Sequence, residues 1–280
     1  MIKMNQEYLE FVKTLRPIDD IFMKVIFNDQ HCIELLFNII FEEDISITEW
    51  HIQDEYRNLH GRTVIMDIVA STESGNIIDV EMERSLKNAS PLRARFHASI
   101  LDSSLSYVNE KWEKLPEIYV IFICEKDVLE TNRLKNHIQR YGEDGEAFED
   151  KVHIIYMNAT KEDKTPLGKL MHDLRCENHE DMYDEVLKER VRYFKQEEGG
   201  KKIMCDMMEK LEKRGEKIGE KRGIKIGEMK SLIQILLKKF PGMNFEWVKE
   251  CNEQQIEKIQ DHILMNMSYE EFYKLVLHDK

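Results

Sequence analysis

Residues 65–85, with the sequence IMDIVASTESGNIIDVEMERS, constrain the fold most, because carboxylates interrupt two segments that otherwise read as buried strands. The Ser/Gly/Asn-rich turn between the two apolar runs predicts a β-hairpin. Side chains alternate along a strand, so Asp79, Glu81 and Glu83 share one face of the second strand. Asp67 lies in the first strand, where its neighbours should be largely apolar. A carboxylate buried alone is costly unless it is protonated, paired or bound to a cation.

Two interpretations of the acidic hairpin remain open from the residues alone. Carboxylate oxygens from adjacent strands are the donors that Mg²⁺ or Mn²⁺ selects, and such a cation also suits a phosphate substrate. Alternatively, Asp79 and Glu83 are solvated charges on an exposed strand face, and Asp67 pairs with an arginine. The segment at 81–97, EMERSLKNASPLRARFH, places basic residues beside the carboxylates, as a phosphate-binding site requires.

The rest of the pattern predicts an α/β fold with a mixed sheet. Apolar residues at helical spacing predict two short helices within residues 18–42, and alternation adds a strand before the hairpin. Ser90 as an N-cap and Pro91 at the first helical position predict a helix after the hairpin. The apolar runs EIYVIFICE and KVHIIYMN predict two central strands.

The chain changes character near its C-terminal third. We place the main domain at residues 1–198. Residues 199–230 are charged, with a glycine at every fourth position from 215 to 227, which predicts either a marginal helix or a linker. An interaction arm is the alternative. Residues 231–280 repeat helical periodicity in short pieces and predict a small helical appendage.

Composition excludes several classes of protein. A net charge of −13 argues against coating nucleic acid by bulk electrostatics. The apolar runs are far shorter than the roughly 20 residues of a membrane span, and no signal-peptide pattern is present, which predicts a cytoplasmic protein without a membrane partner. The five cysteines are scattered, which argues against a disulfide framework and a zinc ribbon. His172 has no second ligand at metal spacing and should be structural.

The order Asp67, hairpin turn, VEMER and RARFHASILDSSL resembles the PD-(D/E)XK nuclease superfamily, and within it the Rpn family of recombination-promoting nucleases and transposases. The blocks DDIFMKVIF, ELLFNII, LPEIYVIFICEKD, HIIYMN, TPLGKLMHDL and RVRYFK extend the resemblance over about residues 15–200. The resemblance implies a restriction-endonuclease-like core, a mixed central sheet flanked by helices, followed by a helical C-terminal extension.

The resemblance also implies a chemistry. Asp67 and Glu81 correspond to metal ligands for Mg²⁺, with Mn²⁺ as a possible substitute, in an endonuclease that hydrolyses DNA phosphodiester bonds. Glu83 stands at the catalytic position where the family has the glutamine of E-x-Q, so it adds a negative charge near the substrate. His97 stands where the family more often has tyrosine. Glu34, from the preceding helix, is a weaker candidate for a third acidic contact.

Four basic residues are candidates for DNA binding: Lys24, Arg84, Arg93 and Arg95. For Lys24 a solvated surface position is the stronger alternative, and for Arg93 and Arg95 surface salt bridges are an equal one. The competing functional class is a degenerate nuclease fold that acts by DNA binding or by self-assembly. RNA is an alternative substrate, and the C-terminal helical region is a candidate for forming a homo-oligomer.

Overall fold

A six-stranded mixed sheet forms the centre of the first 200 residues of the computed structural model, which describes residues 5–57, 61–106 and 111–277. The chain divides into two compact units, residues 1–205 and 206–280. The strands of the first unit are β1 (Ile47–Tyr56), β2 (Val64–Thr72), β3 (Ile77–Glu83), β4 (Ile118–Cys124), β5 (Lys135–Ile138) and β6 (Val152–Asn158).

The spatial order of the strands is β1-β2-β3-β4-β6-β5. Strands β1, β2 and β3 form an antiparallel meander, and a short turn at residues 73–76 connects β2 to β3. Strands β3, β4 and β6 are parallel, and β5 pairs with β6 in the antiparallel direction at the edge. The structure confirms the α/β fold with a mixed sheet flanked by helices.

Helices account for much of the remaining chain. Those in the described residues are α1 (Gln6–Thr14), α2 (Asp20–Ile26), α3 (Gln30–Phe41), α4 (Pro91–Leu105), α5 (Pro166–Asp173), α6 (Glu185–Gln196), α7 (Glu198–Lys239), α8 (Glu253–His262) and α9 (Tyr269–Leu277). The sequence pattern did not predict α1 or β5. Strand β5 has only four residues, too few for a periodic pattern to be recognised.

Helix α4 follows β3 and covers the face of the sheet that bears the carboxylates. Its start is as predicted, because the Ser90 hydroxyl accepts the Arg93 N–H at 3.3 Å and Pro91 occupies the first turn. On the other face, Phe41 of α3 packs against Tyr119 of β4 with ring centroids 4.9 Å apart. Every residue of β3 before Glu83 is buried, so Asp79 and Glu81 lie in the interior, whereas Glu83 is partly exposed.

The glycine-periodic segment is helical throughout, inside α7. Apart from the adjoining backbone of the helix itself, no atom of the described residues lies within 4 Å of the position that a Cβ would take at Gly215, Gly219, Gly223 or Gly227. In the second unit, the end of α7 packs with α8 and α9 around an apolar core that includes Leu236, Phe245 and Phe272. Domain limits at residues 198 and 230 stay predictions. Among the described helices, none has both the length and the apolar character needed to cross a bilayer.

Candidate active site

Four carboxylates of β2 and β3 form a cluster that we call the acidic group: Asp67, Asp79, Glu81 and Glu83. Backbone pairing between the two strands ends at Ile68 and Val80, away from the turn of the hairpin. Beyond that point the side chains of Asp67 and Glu81 replace it. The Asp67 N–H donates to Glu81 Oε1 at 2.9 Å, and the Met82 N–H donates to Asp67 Oδ2 at 3.0 Å. The hairpin itself therefore holds these two carboxylates side by side.

Asp79 is enclosed between β3 and α4. Its Oδ2 lies 2.8 Å from His97 Nδ1, and both side chains are fully buried. Its other oxygen, Oδ1, has no hydrogen-bond partner among the residues that the structure describes. A buried acceptor without a partner costs about 1–3 kcal/mol and calls for an explanation. The alternative interpretation of Asp79 as a solvated surface charge is wrong.

Arg93 brings a positive charge into direct contact with the acidic group. One terminal nitrogen of its guanidinium pairs with Glu81 and the other with Glu83. Its Nη1 also donates to the Asn88 carbonyl oxygen at 2.8 Å, and its Nε donates to His97 Nε2 at 3.2 Å. The added charge of Glu83, the departure from the family pattern, is thus balanced inside the protein.

These contacts define the protonation state of His97. An arginine Nε–H can only donate, so His97 Nε2 accepts and the ring proton lies on Nδ1, from which it is donated to Asp79. Burial lowers the pKa of His97, in agreement with a neutral ring. The sequence drew attention to His97 only as a departure from the family, and its bond to Asp79 was not predicted.

Burial raises the pKa of the three inner carboxylates. The pKa of Glu81 rises to about 9, with the charges of Asp79 and Asp67 adding to the effect of burial. The pKa of Asp67 rises to about 6 through burial and, to a smaller extent, the charges of Asp20 and Glu83. That of Asp79 lies well above its usual range because of burial and then Asp67. The acidic group therefore retains protons that a bound cation would displace.

The donor chemistry of this cluster fits a divalent cation. Carboxylate oxygens of Asp79 and Glu81 lie within 4.8 Å of each other, and the Asp67 N–H is hydrogen-bonded to Glu81. The oxygen of Asp79 that lacks a partner is a donor of the kind that Mg²⁺ and Mn²⁺ prefer. The residues present can thus hold a metal, and the assignment of the ligands to Asp67 and Glu81 stays a prediction.

A cleft of about 930 Å³ borders the acidic group and shares Glu83 with it. We call it the basic cleft, after the cationic side chains that line it: Arg62, Lys87, Arg93 and Arg95. Arg95 is exposed and makes no ion pair within the described part of the chain. Guanidinium groups match phosphate oxygens in geometry and charge, so the cleft suits a phosphodiester backbone.

Two other predicted DNA contacts have protein partners outside this cleft. Arg84 pairs with Asp19 at 2.9 Å and with Glu125 at 3.0 Å. Lys24 pairs with Asp20, one turn away on α2, at 2.9 Å. Neither residue lines the basic cleft. Their roles in DNA binding stay predictions.

The surroundings of Asp67 include a second carboxylate and an exposed neighbour, which the strand alternation did not predict. Ile65, on the same face of β2, is 51% exposed. Asp20 lies close enough to raise the pKa of Asp67. Asp20 was not among the predicted site residues, and the pair of aspartates that begins the DDIFMK segment is the signal that could have found it. Glu34, considered as a third acid, instead accepts a hydrogen bond from Gln30 at 2.8 Å.

His172 does have neighbours with metal-binding side chains, so the expectation that it lacks a second ligand was wrong. Ligand atoms of His172, Asp173 and Cys176 lie within 4.8 Å of one another. The buried Asp173 carboxylate, however, accepts the backbone N–H of Tyr183 at 2.9 Å and of Asp184 at 2.8 Å. These bonds explain its burial without a cation.

Comparison with known proteins agrees with this geometry. The family model described as PD-(D/E)XK nuclease family transposase matches residues 18–174, more than half of the chain. The matched range contains the whole sheet, the acidic group and the residues of the basic cleft. No curated protein and no solved structure matches the chain. The chain therefore belongs to the family of PD-(D/E)XK nuclease transposases.

Proposed function

We propose that this chain is a Mg²⁺-dependent endonuclease that hydrolyses phosphodiester bonds of DNA. The acidic group carries the proposal, because it gathers four carboxylates and, among the residues that the structure describes, one arginine, Arg93, pairs with them. A divalent cation can displace the protons that these buried carboxylates retain and take their place as the partner of the oxygens. The basic cleft beside it offers charge and space for a phosphate backbone. The family description, a nuclease family transposase, supports DNA as the substrate.

Asp67 and Glu81 are the residues that would hold Mg²⁺, with Mn²⁺ as a substitute. When bound, such a metal supplies an acidified water and polarises a phosphoryl oxygen. The contribution of the protein is to orient the two carboxylates through the hydrogen bonds at the end of the β2–β3 hairpin. Glu83 would lie at the edge of the reacting phosphate, with its charge balanced by Arg93.

The residues of the basic cleft would bind the DNA backbone. Arg95, which is exposed, would contact a phosphate directly, and Arg93 would contact one from the inner end of the cleft. Arg84 and Lys24 would add contacts further along the duplex. Since such contacts are electrostatic, DNA affinity should fall steeply as salt is added.

A second candidate function is binding of DNA without cleavage. It is favoured by the position of Arg93, because a guanidinium that pairs with Glu81 and Glu83 competes with a metal for the same carboxylates. Self-assembly through the C-terminal helical region is a further prediction. The same acidic group could also hydrolyse RNA, and an assay on an RNA substrate distinguishes this activity from DNA cleavage.

Nicking of supercoiled plasmid tests the proposal. The wild type, Asp67→Asn and Glu81→Gln are compared with and without Mg²⁺, with Glu73→Gln as the control, since Glu73 is exposed and lies at the turn end of the hairpin. We expect Mg²⁺-dependent nicking by the wild type and the control, and none by the two site variants. Cleavage that survives both site variants would contradict the assignment. A parallel assay on single-stranded RNA decides between the substrates.

A further inference from the structure

Arg93 differs from Arg95, its neighbour in the basic cleft, in how fully its guanidinium is bonded within the protein. Its two terminal nitrogens pair with Glu81 and Glu83, and its Nε donates to His97 Nε2 at 3.2 Å. Arg95 is exposed and makes no ion pair within the described residues. Arg93 is thus a counter-ion of the acidic group, whereas Arg95 is available to a ligand.

Arg93 and a divalent cation would compete for Glu81. Oxygen Oε1 of Glu81 already accepts the Asp67 N–H at 2.9 Å, and Oε2 pairs with Arg93. Glu81 is fully buried, so two cations at this carboxylate would repel each other with little screening by water. Binding of a metal and pairing with Arg93 should therefore exclude one another.

The basic cleft offers Arg93 a second position. Its side chain lines the cleft and is 29% exposed. Its backbone is anchored by the Ser90 cap of α4, so only side-chain torsions need to change. Lys87 and Arg95 line the same cleft, where a phosphate would replace the carboxylates as the partner of the guanidinium.

We propose that Arg93 exchanges its carboxylate partners for a nucleic-acid phosphate when a divalent cation binds the acidic group. The proposal rests on the proposed metal-dependent function and adds to it a coupling between two ligands. The metal releases Arg93 into the cleft, and a phosphate that holds Arg93 there removes the charge that opposes the metal. By linkage, each ligand then strengthens the binding of the other by the same factor.

The affinity of the full chain for Mn²⁺ gives the first test. Calorimetric titrations compare the EDTA-treated wild type with Arg93→Gln and with Arg95→Gln, which is the same substitution two residues away on α4. We expect the Kd for Mn²⁺ to fall about tenfold in Arg93→Gln, within the usual range for coupled sites, and to stay unchanged in Arg95→Gln.

The possible outcomes separate the two proposals. If Arg93→Gln binds Mn²⁺ as tightly as the wild type, or more weakly, the exchange is wrong while the metal site stands. If none of the three proteins binds Mn²⁺, the metal-dependent function fails and the exchange fails with it. If Arg93→Gln binds Mn²⁺ and the other two proteins do not, Arg93 excludes the metal when no phosphate is present, which supports the exchange.

Binding of a short DNA duplex gives the second test, by fluorescence anisotropy in EDTA and in Ca²⁺, with the duplex checked for integrity. We expect Ca²⁺ to tighten binding by the wild type about tenfold. Arg93→Gln should lose this gain, whereas Arg95→Gln should bind more weakly in both conditions but keep it. An affinity of the wild type that does not respond to Ca²⁺ overturns the coupling.

NMR of the wild type gives a third test. It does not depend on Arg93→Gln, which leaves Glu81 and Glu83 without their counter-ion. The NMR signal of the Arg93 Nε–H, assigned with Arg93→Lys, reports its bond to His97. We expect this proton to be protected from solvent exchange in EDTA and to lose that protection in Mg²⁺. Protection that persists at saturating Mg²⁺ overturns the exchange.

Discussion

His97 and Asp79 join helix α4 to strand β3 through a hydrogen bond of 2.8 Å between two fully buried side chains. Helix α4 also carries Arg93, and β3 also carries Glu81 and Glu83. The bond therefore fixes the position of the basic residues relative to the acidic ones. The packing of α4 on β3 therefore sets the distances between the charges of the candidate active site.

We expect His97→Phe to destabilise the fold by about 1–3 kcal/mol, because the Asp79 carboxylate would then be buried without a partner on either oxygen. Chemical denaturation measures the change. The double variant His97→Phe/Asp79→Leu should recover part of the loss, since it removes the unpaired carboxylate. A single variant as stable as the wild type would show that the bond contributes nothing.

Millimolar Mn²⁺ should raise the melting temperature of the wild type. A ligand that binds only the folded state stabilises it by about 2.7 kcal/mol at a hundredfold excess over its Kd. Asp67→Asn and Glu81→Gln should lose the shift, and Glu73→Gln should keep it. An unchanged melting temperature of the wild type in Mn²⁺ would mean that the acidic group is not a metal site.

Without metal, the free energy of unfolding should fall as the pH rises from about 5 to 9. The folded-state pKa is raised to about 6 for Asp67 and to about 9 for Glu81, above the ordinary values, so the folded protein binds more protons than the unfolded chain. The contribution of each group to the free energy of unfolding is therefore fully present below its pKa in the unfolded chain. It is lost as the pH rises through the pKa of the folded state.

Asp67→Asn is the control for this pH dependence. Its stability should vary less between pH 5 and 7, by roughly 1 kcal/mol, because the proton on Asp67 no longer contributes. Denaturant titrations in EDTA at each pH supply the data. A metal-free protein that becomes more stable toward pH 9 would contradict the raised pKa values.

Glu83→Gln should keep or increase Mg²⁺-dependent DNA cleavage. The substitution restores the E-x-Q pattern of the family and removes one of the two carboxylates that pair with Arg93. Initial nicking rates of the variant and the wild type measure the effect. A decrease of roughly 10²-fold or more, with the fold intact by circular dichroism, would instead identify Glu83 as a metal ligand or a general base.

Replacing Gly219 and Gly223 by alanine should stabilise α7. The sites where a Cβ would be added are open, and alanine is favoured over glycine in a helix by about 1 kcal/mol per position. Helical content and melting, followed by circular dichroism, measure the gain. A loss of stability, together with a change of mass in light scattering, would show that the glycine face packs against a partner.

The sequence alone determined the local features of this site. The alternation from Ile77 to Glu83 predicted a strand with three carboxylates on one face, and the structure has that strand at those residues. The Ser90 cap and Pro91 predicted the start of α4. Such patterns are readable because neighbouring residues set both the periodicity and the cap.

Only the tertiary structure decided which charges meet. The pairing of Arg93 with Glu81 and Glu83, and the bond from His97 to Asp79, join residues 10 to 18 positions apart on two different elements. They depend on how α4 packs on β3, which no local pattern encodes. Since burial and distance set the energy of a charge, the sequence could name these residues, but only packing could turn them into an acidic group with an internal counter-ion.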